Sequence, residues 1–353
     1  MLAGPTAWLG WRQSPLPDRG PASARAISAA IPARAVPARP QAGGEPVRPL
    51  ATDKPGPPAA KVRPGVQPAT ALSQYVKTTR ESHLYRLGCG EAESLSRLKD
   101  DSAIVVLAFG RPIRKRAHLW GASAFGHRFR STRQIEVAVQ AYAEGYVRCS
   151  KAGPRLSVAI GTSNFGPAVG YSHGAAWAAM VNDANRWLLD KGYGNRVEFA
   201  GANDIELSWN GPRESKAWVR GYDSVAEWPF YDYGDAAGCP PRGNCVGAWT
   251  PEDVWYVSWG ARTAWPLPQI YTPNGVMAEQ WYRLSLYSYR HHGWRMTIAG
   301  ALSQRIACRQ SSDPCRGMDN SPARAWGQLN QLLNRDRRTA QPLAWSSDFR
   351  WSS

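Results

Sequence analysis

The sequence has 353 residues and a formal net charge of +16, with 43 Lys and Arg against 27 Asp and Glu. Its length fits one large domain or two small ones, and its charge favours acidic partners such as nucleic acid, anionic lipid surfaces or acidic cell-wall polymers. No apolar run reaches the roughly 18 residues of a membrane-spanning helix, and residues 1–10 lack the basic start of a signal peptide.

The N-terminal region differs in composition from the rest of the chain. Residues 1–70 hold 14 of the 28 prolines and carry nine Arg and Lys against three acids. They show almost no periodic apolar pattern, so burial cannot offset the entropy lost on ordering. We predict a disordered, basic Pro/Ala/Arg-rich tail over residues 1–72 and a folded domain over residues 73–353.

Strand-like and helix-like segments alternate from residue 102 onward. Residues 72–100 have the mixed polarity of a helical lead-in, and residues 102–109 form a continuous apolar run typical of a buried strand. Further strands are predicted at 155–162, 196–206, 228–233, 267–271 and 295–300, with two weaker candidates at 119–124 and 343–345. Helices are predicted between them at 131–149, 175–191, 215–222, 250–259, 278–289 and 321–335.

This alternation predicts an α/β fold with a parallel sheet covered by helices. Six clear strands and two weaker ones make eight, the number that closes a (β/α)8 TIM-like barrel. A doubly wound open sheet is the main alternative, but no GxGxxG or phosphate-binding loop follows any strand. The prediction is therefore a (β/α)8 TIM-like barrel that follows the disordered tail.

Six cysteines fall into two pairs that are close in sequence and one distant pair. An even count with short polar or Gly/Pro-rich loops between partners is typical of disulfides in an oxidising compartment. Zinc binding is the alternative, but no CxxC or HxxxH spacing supports it. The predicted pairs are Cys239–Cys245, Cys308–Cys315 and Cys89–Cys149.

The segment 196–206 begins as a partly apolar strand and ends in two acids. Side chains alternate along a strand, so Asp204 and Glu206 share one face with Ala200 and Ala202. In a parallel barrel the active site lies where the strands end, and two close acids there acquire different pKa values. One protonated and one ionised carboxyl group are what glycosidic cleavage requires. The alternative is that the pair caps the next loop or binds Arg213 or Arg220.

Other polar and aromatic residues lie near the predicted strand ends. Amide, imidazole and aromatic groups at a barrel mouth can hydrogen-bond sugar hydroxyls or stack on sugar faces, although most tryptophans in such a fold pack in the core. For His173 the alternative is a loop residue at the start of a helix. The candidate substrate-binding residues are Asn164, His173, Asn203, Trp209, Tyr231, Trp259 and Gln304.

Several short motifs carry a resemblance to a known family. They are AIGTSN at 159–164, AGANDIE at 200–206, VWYVSWG at 254–260, PQIY at 268–271, QWY at 280–282 and the cysteine loop at 308–315. From about residue 102 to 351 the chain resembles an uncharacterised family of exported bacterial proteins with a glycoside-hydrolase-like barrel. The Asp-Ile-Glu motif also resembles the strand-end motif of lysozyme-type muramidases, which implies Glu206 as the acid and Asp204 as its partner.

The first functional hypothesis is therefore a secreted barrel that hydrolyses a polysaccharide, with bacterial cell wall as a candidate substrate. Asp232 is the predicted supporting carboxylate, and no cofactor or metal is predicted. The alternative is a barrel that binds cell wall or other glycan without cleaving it. Nucleic-acid binding is not expected, because no DNA- or RNA-binding motif is present and disulfides indicate an extracellular setting.

Overall fold

The computed structural model describes residues 65–97, 101–239, 245–311, 315 and 317–352. Residues 1–64 of the predicted disordered tail lie outside the described residues. None of the helices in the described ranges is long and apolar enough to cross a membrane.

Within these ranges eleven strands alternate with helices along the chain. The strands are β1 (Thr70–Tyr75), β2 (Ser102–Ala108), β3 (Arg111–Arg116), β4 (Leu119–Ser123), β5 (Phe129–Ser131), β6 (Arg155–Ser163), β7 (Val197–Asp204), β8 (Phe230–Asp232), β9 (Ala264–Pro266), β10 (Gly300–Ser303) and β11 (Trp345–Trp351). The helices are α1 (Glu81–Leu95), α2 (Thr132–Cys149), α3 (Tyr171–Asp190), α4 (Pro212–Val225), α5 (Pro251–Trp255), α6 (Val276–His292), α7 (Arg305–Gln310) and α8 (Pro322–Asn334). A π-helical turn, Tyr256–Gly260, follows α5.

Eight of the strands form one parallel sheet that curls into a barrel. Their order is β10-β11-β1-β2-β6-β7-β8-β9, so neighbours in sequence are neighbours in the sheet and the first strand pairs with the last. The two ends of the sheet meet beyond β9, where Ile270 N donates to Leu302 O (2.8 Å) and Leu302 N donates to Pro268 O (2.9 Å). The predicted α/β fold with a TIM-like barrel is confirmed, and all strand C-termini open on one mouth.

Two predicted strands are shifted along the chain: the one expected at 267–271 is Ala264–Pro266, with a single bridge at Gln269, and the one expected at 295–300 is Gly300–Ser303. Two other predicted segments take a different place in the fold. Residues 119–124, expected as a barrel strand, form β4 in a separate antiparallel sheet of order β3-β4-β5. Residues 70–75, expected partly as tail and partly as helix, form barrel strand β1 instead. The reason is that the inner face of β1 is polar: Ser73 Oγ lies 2.7 Å from Ser347 Oγ of β11. An apolar pattern therefore does not reveal this strand.

The three predicted cysteine pairs are all disulfides in the structure. Cys89–Cys149 joins α1 to the end of α2, while Cys239–Cys245 and Cys308–Cys315 each close a short loop. The described part of the chain contains no free cysteine. Three disulfides fit an oxidising compartment.

A buried acid fastens α1 to β1 and makes stability depend on pH. Glu91 Oε1 accepts a bond from Leu72 N (3.1 Å), and burial raises the pKa of Glu91 to about 7. A raised acid pKa gives stability that is complete below the unfolded-state pKa and lost as pH rises through the folded-state value. We expect Glu91→Gln, which keeps the acceptor oxygen, to raise the free energy of unfolding at pH 8 by roughly 3 kcal/mol.

Chemical denaturation at pH 5 and pH 8 measures this effect. Glu93→Gln, an exposed substitution on the same helix, is the matched control and should leave the difference between the two pH values unchanged. Equal pH dependence in wild type and Glu91→Gln would show that Glu91 does not carry it.

Candidate functional site

The two acids that end strand β7 lie side by side at the mouth of the barrel. Gln269 Nε2 donates to Asp204 Oδ1 (2.7 Å) and to Glu206 Oε1 (2.8 Å). Gly201 of β7 faces outward, because a Cβ added there would meet the ring of Tyr222 on the covering helix α4. Strand alternation then places Asp204 inside the barrel, as the sequence predicts.

Gln269 reaches both acids because the chain beyond β9 closes the barrel. Its backbone pairs in parallel with Leu302 of β10, and its N–H donates to Gly234 O (3.3 Å). The side chain is buried, so its amide has a fixed place between the acids. Gln269 Nε2 donates to both carboxyl groups. The distance between Asp204 Oδ1 and Glu206 Oε1 therefore cannot exceed the sum of these two hydrogen-bond lengths. That upper limit lies below the roughly 6.5–9.5 Å that separates the catalytic carboxyl groups of inverting glycosidases.

Asn164 fixes the backbone that carries Glu206. Its Oδ1 accepts from Glu206 N (3.1 Å), and its Nδ2 donates to Glu206 O (3.0 Å) and to Ser215 Oγ (3.2 Å). Asn164 follows β6, the neighbouring strand, so the two strand ends are joined. Predicted as a substrate-binding residue, Asn164 instead has its amide engaged in holding Glu206.

A third acid, Asp235, faces Glu206. Asp235 Oδ1 accepts from Leu207 N (3.1 Å), and its carboxylate also accepts a bond from the Glu206 side chain. Burial raises the pKa of Glu206 well above its usual range, and the charges of Asp235 and Asp204 raise it further. Burial also raises the pKa of Asp235, but the bonds from Leu207 and Glu206 oppose that rise. Burial therefore favours a proton in the contact between Glu206 and Asp235.

Asp204 is buried in the same cluster. Burial raises the pKa of Asp204 well above its usual range, the charges of Asp235 and Asp232 add to the rise, and the bond from Gln269 opposes it. Asp204 is 6% exposed and Glu206 is 2% exposed. No ion pair among the described residues includes any of these four acids, so the predicted alternative of an arginine partner finds no support there.

Three tyrosines surround the carboxyl groups on the inner wall. Burial raises the pKa of Tyr75, Tyr233 and Tyr271, and the negative charges of Asp204 and Glu206 raise each further. All three therefore stay protonated and can donate hydrogen bonds. Tyr75 OH donates to Gln304 Oε1 (3.1 Å), which brings this predicted substrate-binding residue to the edge of the cluster.

Asp232 and Asn203 lie on the opposite face of the sheet from Asp204. They are register partners on β8 and β7, one residue out of phase with the inward positions. Ser258 Oγ of the π-helical turn donates to Asp232 Oδ2 (2.6 Å), and Gly234 N donates to its Oδ1 (3.1 Å). Burial raises the pKa of Asp232 to about 7, and these bonds oppose the rise. Neither amide atom of Asn203 has a hydrogen-bond partner among the described residues.

The predicted aromatic residues occupy three different layers. Tyr231 points into the barrel and packs edge-on against Trp345, with ring centroids 5.8 Å apart. Trp209 is part of the loop after β7, where its ring meets Phe165 edge-on at 5.8 Å. Trp259 belongs to the π-helical turn, is buried, and packs edge-on against Trp265 at 4.9 Å. Of the three, Trp209 belongs to the loop that directly follows the acids.

His173 packs between the outer layers of the fold. Trp218 Nε1 donates to its Nδ1 (2.9 Å), so Nε2 carries the proton and donates to Gly121 O (2.9 Å). Burial lowers the pKa of His173 to about 4, which keeps the ring neutral. Both nitrogens are thus engaged by α4 and β4, and His173 lies buried in the first turn of α3, so it is neither at the mouth nor in the loop that the alternative predicts.

The sequence alone does not identify the residues that complete the cluster around Asp204 and Glu206. Gln269 and Tyr271 would share one face of the predicted strand 267–271, but nothing in that segment shows which face meets the acids. Asp235 follows the predicted strand 228–233, which places it at the mouth, although the sequence assigns it no role. Tyr75 was hidden because its strand reads as a helical lead-in.

Comparisons with known proteins add no family assignment. Neither the models of known protein families nor the curated protein sequences give a match to this chain.

Proposed function

We propose that this protein is a glycosidase that hydrolyses a polysaccharide, with bacterial cell wall as the candidate source. The observation that carries the proposal is the bridge from Gln269 Nε2 to both Asp204 and Glu206 at the mouth of a parallel barrel. Paired acids, one that donates a proton and one that attacks as a carboxylate, are the groups that retaining glycosidic cleavage uses.

Glu206 acts as the general acid in this proposal. Its raised pKa keeps the proton on the side chain at neutral pH, where it can pass to the glycosidic oxygen as the bond to the anomeric carbon breaks. Asn164 holds the Glu206 backbone and thereby fixes the direction of transfer. Asp235, which accepts from Glu206 at rest, stabilises the positive charge that develops on the sugar ring.

Asp204 is the partner that attacks the anomeric carbon from the opposite side. Burial is the largest cause of its raised pKa, so contact with sugar hydroxyls in an occupied mouth favours its ionised form. Asp204 then forms a glycosyl ester, water displaces it, and Glu206 takes the proton of that water. Gln269 donates hydrogen bonds to both acids and holds their positions relative to each other.

Three disulfides support an exported protein, and the proposed site of action is outside the cell. A cell-wall polysaccharide is a substrate found in that setting.

The proposal predicts that the wild-type protein releases reducing ends from one or more polysaccharides in a panel that includes peptidoglycan. Asp204→Asn should lower this rate by at least about 10³-fold, because the amide cannot form the ester. Glu198→Gln is the control: it alters an acid on the same strand, at the N-terminal end of the barrel, where Arg155 Nη2 binds it (2.8 Å). Reducing-end assays with folded, purified variants provide the measurement.

The outcome that contradicts catalysis is a folded wild-type protein that releases no reducing ends from any glycan. A second candidate, a barrel that binds glycan without cleaving it, is favoured by the low exposure of Asp204 and Glu206. Binding of a polysaccharide that both wild type and Asp204→Asn retain, without hydrolysis by either, would identify that function.

A further inference from the structure

The antiparallel sheet β3-β4-β5 carries a concentrated positive charge. Between residues 102 and 135 the sequence contains seven Arg and Lys and no acid. Arg114, Lys115 and Arg116 at the end of β3 are exposed, and none of them forms an ion pair within the described part of the chain. Their charge is therefore available to an anionic partner.

This basic sheet lies at the same end of the barrel as the carboxyl cluster. It begins directly after the C-terminal end of β2, where Thr162 Oγ1 donates to Gly110 O (3.0 Å). Phe125, in the turn between β4 and β5, packs edge-on against Tyr75 at 5.2 Å. Tyr75 in turn lies close enough to Asp204 and Glu206 for their charges to raise the pKa of its hydroxyl group. A polymer bound on the sheet is thus placed beside the barrel mouth.

Aromatic rings accompany the cations. The Arg114 guanidinium lies 5.7 Å from the ring of Trp120, and Lys115 Nζ lies 5.5 Å from the ring of Phe129. Such contacts hold long basic side chains in place over the sheet.

A cleft of about 500 Å³ opens between this sheet and the loop before α3. Arg111 and Arg114 line one side, and Trp120 and Tyr171 contribute rings. The volume suits one or two sugar units, and the side chains combine positive charge with flat apolar surface. Tyr171 is 51% exposed, which leaves its ring accessible to a ligand.

We propose that the basic sheet and its cleft bind an acidic polysaccharide, one with carboxylate or phosphate groups along its chain, and lay it across the barrel mouth. An acidic polysaccharide would then be the substrate class of the proposed glycosidase. Binding to the basic sheet does not depend on that function, and only cleavage of the bound polymer does. Single-stranded nucleic acid fits less well, because successive bases need a row of exposed rings. Among the described residues that line the cleft, Tyr171 is the exposed ring.

Binding to immobilised acidic glycans tests the proposal. The variant Arg114→Ser/Lys115→Ser/Arg116→Ser removes three cations from the sheet. The control Arg290→Ser/Arg295→Ser/Arg337→Ser removes three exposed cations, one in the last turn of α6 and two beyond the C-terminal ends of α6 and α8, towards the opposite end of the barrel. Probes are polygalacturonate, a glycerol-phosphate wall polymer, neutral pullulan and single-stranded DNA.

We expect wild type and the control variant to bind at least one of the two acidic glycans, with affinity that falls as salt rises, and to bind pullulan weakly. The sheet variant should lose affinity for that glycan by about 10- to 100-fold. Preference for polygalacturonate or for the phosphate polymer identifies the anionic group. Equal losses in both triple variants, or tighter binding of DNA than of either glycan, would overturn the proposal.

The same experiment separates binding from catalysis. Asp204→Asn should bind the acidic glycan as wild type does while releasing no reducing ends from it. If sheet-dependent binding occurs without hydrolysis by wild type, the docking surface stands and the glycosidase proposal fails. If a neutral glycan alone is bound and hydrolysed, the glycosidase proposal stands and the docking surface fails.

Discussion

Glu206→Gln is expected to lower polysaccharide hydrolysis by about 10²- to 10⁴-fold while leaving the first step with an activated aryl glycoside, ester formation with release of the aryl group, largely intact. A polysaccharide leaving group needs the proton that Glu206 supplies, whereas a dinitrophenolate leaves without one. Asp204→Asn should lose both activities, because ester formation accompanies either release. The initial burst of dinitrophenolate and the initial rate on the polysaccharide, measured for both variants, give the comparison.

The same substitution should stabilise the protein at alkaline pH. The raised pKa of Glu206 means that its contribution to stability is present below its unfolded-state pKa and lost as pH rises through the folded-state value. Glutamine cannot ionise, yet its amide can still donate to Asp235 and accept from Gln269. The melting temperature of Glu206→Gln should therefore exceed that of wild type at pH 8, and the difference should shrink at pH 4.

A uniform loss on both substrates would contradict the role of Glu206 as acid, and a lower melting temperature at pH 8 would contradict its burial as a protonated group. Glu198→Gln again serves as the activity control on the same strand, since its partner Arg155 lies away from the mouth.

Gly88→Ala is expected to destabilise the protein by about 3 kcal/mol or more, because α1 and α2 pack with their backbones in contact. A Cβ at Gly88 would lie 2.0 Å from Tyr142 O, and a Cβ at Gly145 would lie 2.1 Å from Tyr85 O. Neither clash involves a side chain that could rotate away. The Cys89–Cys149 disulfide joins the same two helices and limits their separation.

Gly90 provides a matched control two residues away. It is exposed in the same helix, and an added Cβ would meet nothing within 4 Å. Gly90→Ala should therefore raise stability by about 0.5–1 kcal/mol through helix propensity. Denaturant midpoints of the two disulfide-intact variants measure the contrast, and equal shifts would show that the helices can separate without cost.

Much of the barrel follows from local patterns in the sequence. β2 is a nearly continuous apolar run because both of its faces are buried, and a strand of this kind is visible without any knowledge of its neighbours. Asp204 and Glu206 could also be found locally, since alternation along one strand puts them on one face. Their partner Gln269 could not, because its place depends on how the chain closes the barrel 65 residues later.

The missed strand and the misplaced one have related causes. β1 carries serine and tyrosine on its inner side, and their partners lie on β11, far along the chain. β4 has the short apolar run of a barrel strand, but the basic residues before it form its antiparallel partner β3. The sequence predicts His173 at the barrel mouth, because it does not show that β4 lies in the outer sheet. In the structure Gly121 O of β4 accepts a hydrogen bond from the His173 ring.

The pairing of β1 with β11 also constrains how the chain is made. Ser73 and its partner Ser347 are separated by 274 positions in the sequence. At typical translation rates of about 5–20 residues per second, β1 waits roughly 15–55 seconds for the strand that completes its hydrogen bonding. During that time one edge of the growing sheet stays open, and the ring closes only after β11 has been made. The nascent chain therefore exposes an unpaired strand edge that a holding chaperone could cover.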